Sequence, residues 1–119
     1  MIRVLQSDET AERLAAIYYG DWSLYRLIVD ANLHVDWDAP TAGLQIQIPE
    51  PLSRDVEHMI QDSDSYQSLS LRYYGTESFD WKIEKLNQLI LHENIGRAIT
   101  IPQLVAAEAL QRHNEVRPR

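Results

Sequence analysis

The sequence predicts an α+β chain made of two small βααβ units in tandem, followed by a C-terminal helix. Three observations predict it. The triplet Tyr-Tyr-Gly occurs twice, at 18–20 and 73–75. At that offset of 55, residues 3–32 align with 58–87 without a gap, and eight positions are identical: Gln6/Gln61, Leu14/Leu69, Tyr18/Tyr73, Tyr19/Tyr74, Gly20/Gly75, Ser23/Ser78, Ile28/Ile83 and Asn32/Asn87. Downstream, Ile46-Gln-Ile-Pro49 matches Ile99-Thr-Ile-Pro102 at an offset of 53, and a loop would absorb the two residues between.

Each unit opens with a short apolar run, Ile2 to Gln6 or Val56 to Gln61, expected as a strand. The polar clusters Ser7-Asp8-Glu9-Thr10 and Asp62-Ser63-Asp64-Ser65 supply acceptors for the free N–H groups at a helix start. A brief helix follows, with Ala11, Leu14, Ile17 and Tyr18 on one stripe, and Tyr66, Leu69 and Tyr73 in the second copy. The stripe predicts Tyr18 and Tyr73 in the core, with Tyr19 and Tyr74 partly exposed. Gly20 and Gly75 end the helix by accepting a positive φ, and Asp21 and Thr76 cap its restart. Leu24, Ile28 and Ala31, or Phe79, Ile83 and Leu86, then face one way. Asn32 and Asn87 are expected to close these helices in a left-handed conformation. Alternation in Leu44–Ile48 and 98–101 predicts a closing strand, antiparallel to the first.

The expected boundaries are 1–49 for the first unit, 50–55 for a proline-containing linker, 56–102 for the second unit, and 103–119 for a helix with a basic tail. Leu104, Val105 and Leu110 do not share one helical stripe, so that helix could be gripped from several sides.

Composition narrows the function. A net charge of −7 over 119 residues argues against nucleic acid or an anionic membrane as partner. No run approaches a membrane span, and the start turns polar too early for a signal peptide, so synthesis in the cytoplasm is expected. Cysteine is absent, and the histidines at 34, 58, 92 and 113 have no metal-ligand spacing. Asp36-Trp37-Asp38 lacks the remaining ligands of a calcium loop. No serine sits in a nucleophile-elbow motif, and four glycines cannot build a phosphate loop. No catalytic residue, metal or cofactor is therefore expected. Trp22, Tyr25, Trp37 and Trp81 exceed what units this small can bury. With Tyr19, Tyr74, Leu104, Val105 and Leu110, the first three stand as candidate partner-binding anchors.

A polar first loop, a Tyr-Gly helix junction, Ala31-Asn32 or Leu86-Asn87 at the second helix end, and a closing Ile-x-Ile-Pro together resemble the LysM domain over most of the chain. In carbohydrate-binding members, the first loop and the loop after the second helix form a groove for N-acetylglucosamine units. That resemblance implies Asp8, Thr10 and Asn32, with Asp64, Ser65 and Asn87, as glycan-binding residues of a peptidoglycan- or chitooligosaccharide-binding module. Both copies lack the glycine usual before the aspartate of the first loop. The doubled tyrosine is instead similar to small LysM-like proteins of phage tails and contractile injection machines. The leading expectation is accordingly a non-enzymatic adaptor of a tail baseplate, located in a virion. It would contact tube, hub or sheath proteins, in several copies around a ring.

Overall fold

A computed structural model describes residues 1–39 and 41–109. The chain is α+β: two two-stranded antiparallel sheets, each closed across a pair of helices. It divides into two compact units. Among the described residues, the first holds 1–51 together with 105–109, and the second holds 52–104.

In the first unit, strand β1 (Ile2–Val4) pairs with β2 (Gln45–Gln47), with Arg3 opposite Ile46. Between them run helix α1 (Ala11–Tyr19), a 3-10 turn at Trp22–Leu24 and helix α2 (Tyr25–Ala31). The second unit repeats this order. Strand β3 (Val56–Met59) pairs with β4 (Ala98–Ile101), with His58 opposite Ile99, around α3 (Tyr66–Tyr74) and α4 (Asp80–Asn87). A further 3-10 turn covers Leu91–Glu93.

Local chemistry explains the helix boundaries. Thr10 and Ser65 cap α1 and α3 by accepting from the N–H groups of Arg13 and Ser68, and Ser68 returns the bond in a capping box. Gly20 and Gly75 stop the helices at φ 74 and 82. Asp21 and Thr76 then accept from Ser23 and Ser78 and start the 3-10 turns.

Each core is built from twin residues: Leu5 and Ile60, Leu14 and Leu69, Leu24 and Phe79, Ile28 and Ile83. Ile46 and Ile48 close the first core, and Ile99 and Ile101 the second. Burial of one such side chain contributes about 2 kcal/mol.

Several expectations are corrected. Tyr19 and Tyr74 are buried, not partly exposed, and their hydroxyls donate to the carbonyls of Pro49 and Pro102. Burial raises the pKa of both phenols, helped at Tyr74 by the charge of Asp55. The helix stripe is therefore centred one position later than the spacing suggests. Ile17 moves to its edge, and Ala15 and Ser70 enter the core. Ala31 and Leu86 point outward, Leu86 with 54% of its surface exposed.

Asn32 sits at φ −135, outside the left-handed region, and Asn87 is the last residue of α4. Gln88 instead takes the left-handed position, at φ 52. The two asparagines have another task. Asn32 Nδ2 donates to the carbonyls of Ile28 (2.7 Å) and Gln47 (2.8 Å), and its Oδ1 accepts from the Gln47 N–H (2.7 Å). Asn87 makes the same three bonds to Ile83 and Thr100. One side chain thereby ties helix end to closing strand.

The segment after Pro102 is not helical from residue 103. Gln103 and Leu104 donate their N–H groups to Asp55 and the Leu52 carbonyl, and helical backbone begins at Ala107. The rest of the expected helix, Leu110 included, lies outside the described residues.

Replacing Asn32 by leucine should cost about 2–4 kcal/mol in urea unfolding, because the strand N–H and two carbonyls lose their partner inside the core. Gly75→Ala meets no neighbouring atom, so its loss of about 1–2 kcal/mol should reflect left-handed strain alone.

Candidate functional site

On both opening strands the inward-facing residue is polar. Ile2 and Val4 are exposed, while Arg3 between them turns in; Met59 is exposed, while His58 is buried. These two basic side chains organise the first loop of their units. Arg3 donates to the Tyr18 hydroxyl (2.8 Å) and to the Glu9 carboxylate, which also accepts from the Gln6 N–H (2.7 Å). In the second unit Asp64 accepts from His58 Nε2 (2.7 Å) and the Gln61 N–H (2.8 Å). Since a carboxylate only accepts, Nε2 carries a proton. The other ring nitrogen, Nδ1, lies 2.7 Å from the Tyr73 hydroxyl. The residues at 3/58, 6/61, 9/64 and 18/73 thus form one base–acid–tyrosine brace, built twice.

Electrostatics follow the geometry. Burial lowers the Arg3 pKa, but its bonds to Tyr18 and Glu9 outweigh that and raise it overall. Partial burial pushes Asp64 up. The bonds from His58 and Gln61, with the charges of His58 and Arg72, outweigh this and hold it below its usual value.

The brace in the second unit supports one wall of an open cleft of about 320 Å³. Asp64, Ser65, Tyr66 and Gln67 form that wall, Glu84 of α4 contributes one side, and Leu89 to His92 form the opposite wall. The Tyr66 hydroxyl spans the two by donating to the Leu89 carbonyl (2.5 Å). Gln88, by turning left-handed, swings the chain into the far wall. Asn94 then holds the 3-10 turn there, donating from Nδ2 to the Ile90 carbonyl (2.7 Å). The lining combines an aromatic ring and the apolar Ile90 and Leu91 with a carboxylate, an imidazole and hydroxyls. Such a surface suits a ligand with apolar faces and hydroxyl or amide edges.

The sequence-derived site residues scatter. Asp64 and Ser65 line the cleft, but Asp64 is committed to the brace and Ser65 to its cap. Asp64 is the twin of Glu9, not of Asp8, which is exposed at φ 66. Thr10 caps α1. Asn32 and Asn87 are corrected from glycan contacts to the helix–strand ties described above. Among the aromatic anchors, Trp22 is 63% exposed, and Tyr25 and Trp37 are half-buried. The Trp37 indole N–H has no hydrogen-bond partner among the described residues. Tyr19, Tyr74 and Val105, also expected as partner-binding anchors, are buried, and Leu104 is half-buried.

The braces escaped sequence reasoning, although the alignment contains the signal. Arg3/His58 and Glu9/Asp64 are chemically matched pairs at the 55-residue offset, and they are not identities. Among the described residues no group of three histidine or acidic side chains could hold a metal ion, and no helix is long and apolar enough to cross a membrane.

No known family profile matches the chain. Two proteins named esterases, from Mycobacterium tuberculosis strains CDC 1551 and H37Rv, are each 29% identical over 96 residues. The alignment covers 79% of this chain and 20% of each relative, so the chain spans about a fifth of the length of the curated relatives it matches. These matches overturn two expectations, that of a structural adaptor of a tail baseplate and that of a protein without enzymatic activity. Both relatives carry the name of a hydrolase. The expected place in a virion rested on the adaptor reading. A duplicated scaffold without a catalytic motif is compatible with a place beside a catalytic part, which is why the repeat alone does not exclude a hydrolase.

Two outcomes are expected for the braces. Arg3→Met should lose about 3 kcal/mol by stranding the buried Glu9 carboxylate, and adding Glu9→Gln should recover most of it. Because the folded pKa of Asp64 lies below its unfolded value near 3.8, its contribution is present above that pH and is lost as pH falls through the folded value. Urea titrations stepped below about pH 4 should show that acid-dependent loss, and Asp64→Asn should flatten it.

Proposed function

We propose that this chain is the polymer-holding, LysM-like part of an ester hydrolase, and that its second-unit cleft grips a stretch of N-acetylated amino sugar. The observation that carries this reading is the pairing of two facts. About four-fifths of the chain aligns at 29% identity with a fifth of each of two proteins named esterases. The second unit also has an open cleft lined by both polar and apolar side chains and spanned by the Tyr66 hydroxyl.

The cleft's chemistry supports a neutral sugar. Tyr66, Ile90 and Leu91 offer apolar area to the faces of a pyranose ring and to an acetyl methyl group, while Glu84 and His92 can bond hydroxyl and amide edges. The buried histidine supports a holding role for this unit. His58 has its ring nitrogens against Asp64 and Tyr73, so it is not poised to deprotonate a serine nucleophile. Ester cleavage then belongs to the larger protein, and the polymer held here keeps its esters within reach by raising their effective concentration.

The experiment is retention of the full chain on insoluble peptidoglycan and on chitin. Saturable retention is expected, reduced about tenfold or more by Tyr66→Ala or Ile90→Asp, in line with the loss of one central apolar contact. Absence of retention on both polymers would overturn the proposal. So would turnover of a p-nitrophenyl ester by this chain that the cleft variants leave unchanged, since that would make it a catalytic part.

A further inference from the structure

A second concave surface lies in the same unit, formed by α4 and the residue that follows β4. Trp81, Lys82, Lys85, Leu86 and Pro102 line a shallow groove of about 390 Å³. None of these residues belongs to the sugar cleft. Trp81 and Leu86 leave more than half of their surface in water, at 52% and 54%. Exposed large apolar side chains that adjoin one another cost solubility, and such patches mark contact sites.

The charges beside them identify what fits. The chain has only two lysines, and both line this groove. Its acids number 18, yet neither lysine pairs with a carboxylate among the described residues. Lys82 rests its ammonium 5.5 Å from the Trp81 ring centre and 5.6 Å from that of Phe79. This cation–π contact fixes the ammonium at the rim and leaves its donors open to an incoming anion. Lys85, one helical turn after Trp81, supplies a second positive charge.

From this we infer that the α4 groove binds a short acidic peptide segment carrying one large apolar side chain. The apolar residue would lie between Trp81, Leu86 and Pro102, and flanking carboxylates would meet Lys82 and Lys85. Charge complementarity is the argument for the occupant, and the net charge of −7 decides its size. A nucleic acid or an anionic bilayer spreads its charge over the whole acidic surface and is repelled. For a short segment, the charged residues lining the groove are the two lysines. The groove is open along its length, which suits an extended chain.

The test is fluorescence anisotropy of a fluorescein-labelled peptide, Asp-Glu-Leu-Phe-Glu-Asp, titrated with the full chain. Saturable binding that weakens with added salt is expected, with amide shifts in NMR confined to 81–86 and the residues flanking Pro102. Lys82→Glu with Lys85→Glu should raise Kd at least tenfold, as should Trp81→Ala. Trp22→Ala, on an exposed residue of the other unit, should leave Kd unchanged. Thermal unfolding of each variant confirms that it is folded, and Lys82→Gln with Lys85→Gln repeats the test without reversing charge. No saturation up to millimolar chain would overturn the inference, as would binding indifferent to these variants. Two further results would replace the occupant: self-association abolished by the lysine variants, or their loss of binding to phosphatidylglycerol vesicles.

Discussion

The buried carboxamide at the end of the second helix of each unit is the interaction on which the rest depends. A two-stranded sheet cannot hold itself together in water, and a pair of two-turn helices is no more stable alone. Asn32 and Asn87 join the two weak elements with three bonds from one side chain: one to the helix carbonyl, and two that enter the strand ladder. The strand position they occupy is fixed by direction, since the amide donates to the carbonyl and the oxygen accepts from the N–H of the same residue. A slip of one residue would break both bonds. Register is thereby set from the helix side of the unit, where hydrophobic pattern in three- and four-residue strands would specify it poorly.

With register fixed, the opening strand can carry a basic side chain on its inner face. Arg3 and His58 stand where an isolated strand would place an apolar residue, and each bonds a carboxylate and a tyrosine of its own unit. These bonds hold the first loop against the sheet. In the second unit that loop is a wall of the cleft, so the shape of a ligand surface traces to a strand residue with no exposure to it. The Tyr66 hydroxyl does for the opposite wall what the brace does for the first.

Repetition made the architecture readable. Tyr-Tyr-Gly, the capping residues and the Ile-x-Ile-Pro endings correctly placed the helices, the glycine stops and the antiparallel strand pairs. Side-chain burial was less legible. The periodic stripe assigned Tyr19 and Tyr74 to the surface, because spacing cannot foresee that a backbone carbonyl at Pro49 or Pro102 will satisfy a buried hydroxyl. The braces were hidden for a related reason: Arg3, Glu9 and His58 read as solvated charges until tertiary structure brings them together. The cleft was only half visible. Ser65 and Asp64 were named from the first loop, but Tyr66, Glu84, Ile90 and His92 come from segments whose path depends on the left-handed turn at Gln88.

The unequal spacing of the two copies has a consequence for how such a unit can change. Eleven positions separate Asn32 from Gly43, and nine separate Asn87 from Gly96. Both ends of this stretch are clamped, by the carboxamide at one side and by backbone bonds from the glycine to Leu5 or Ile60 at the other. Between clamps, adding two residues changes closure entropy by only about 0.2 kcal/mol. The far rim of the cleft can therefore lengthen, shorten or change its lettering with almost no effect on folding. The surface of this stretch is free to drift while the scaffold beneath it stays still.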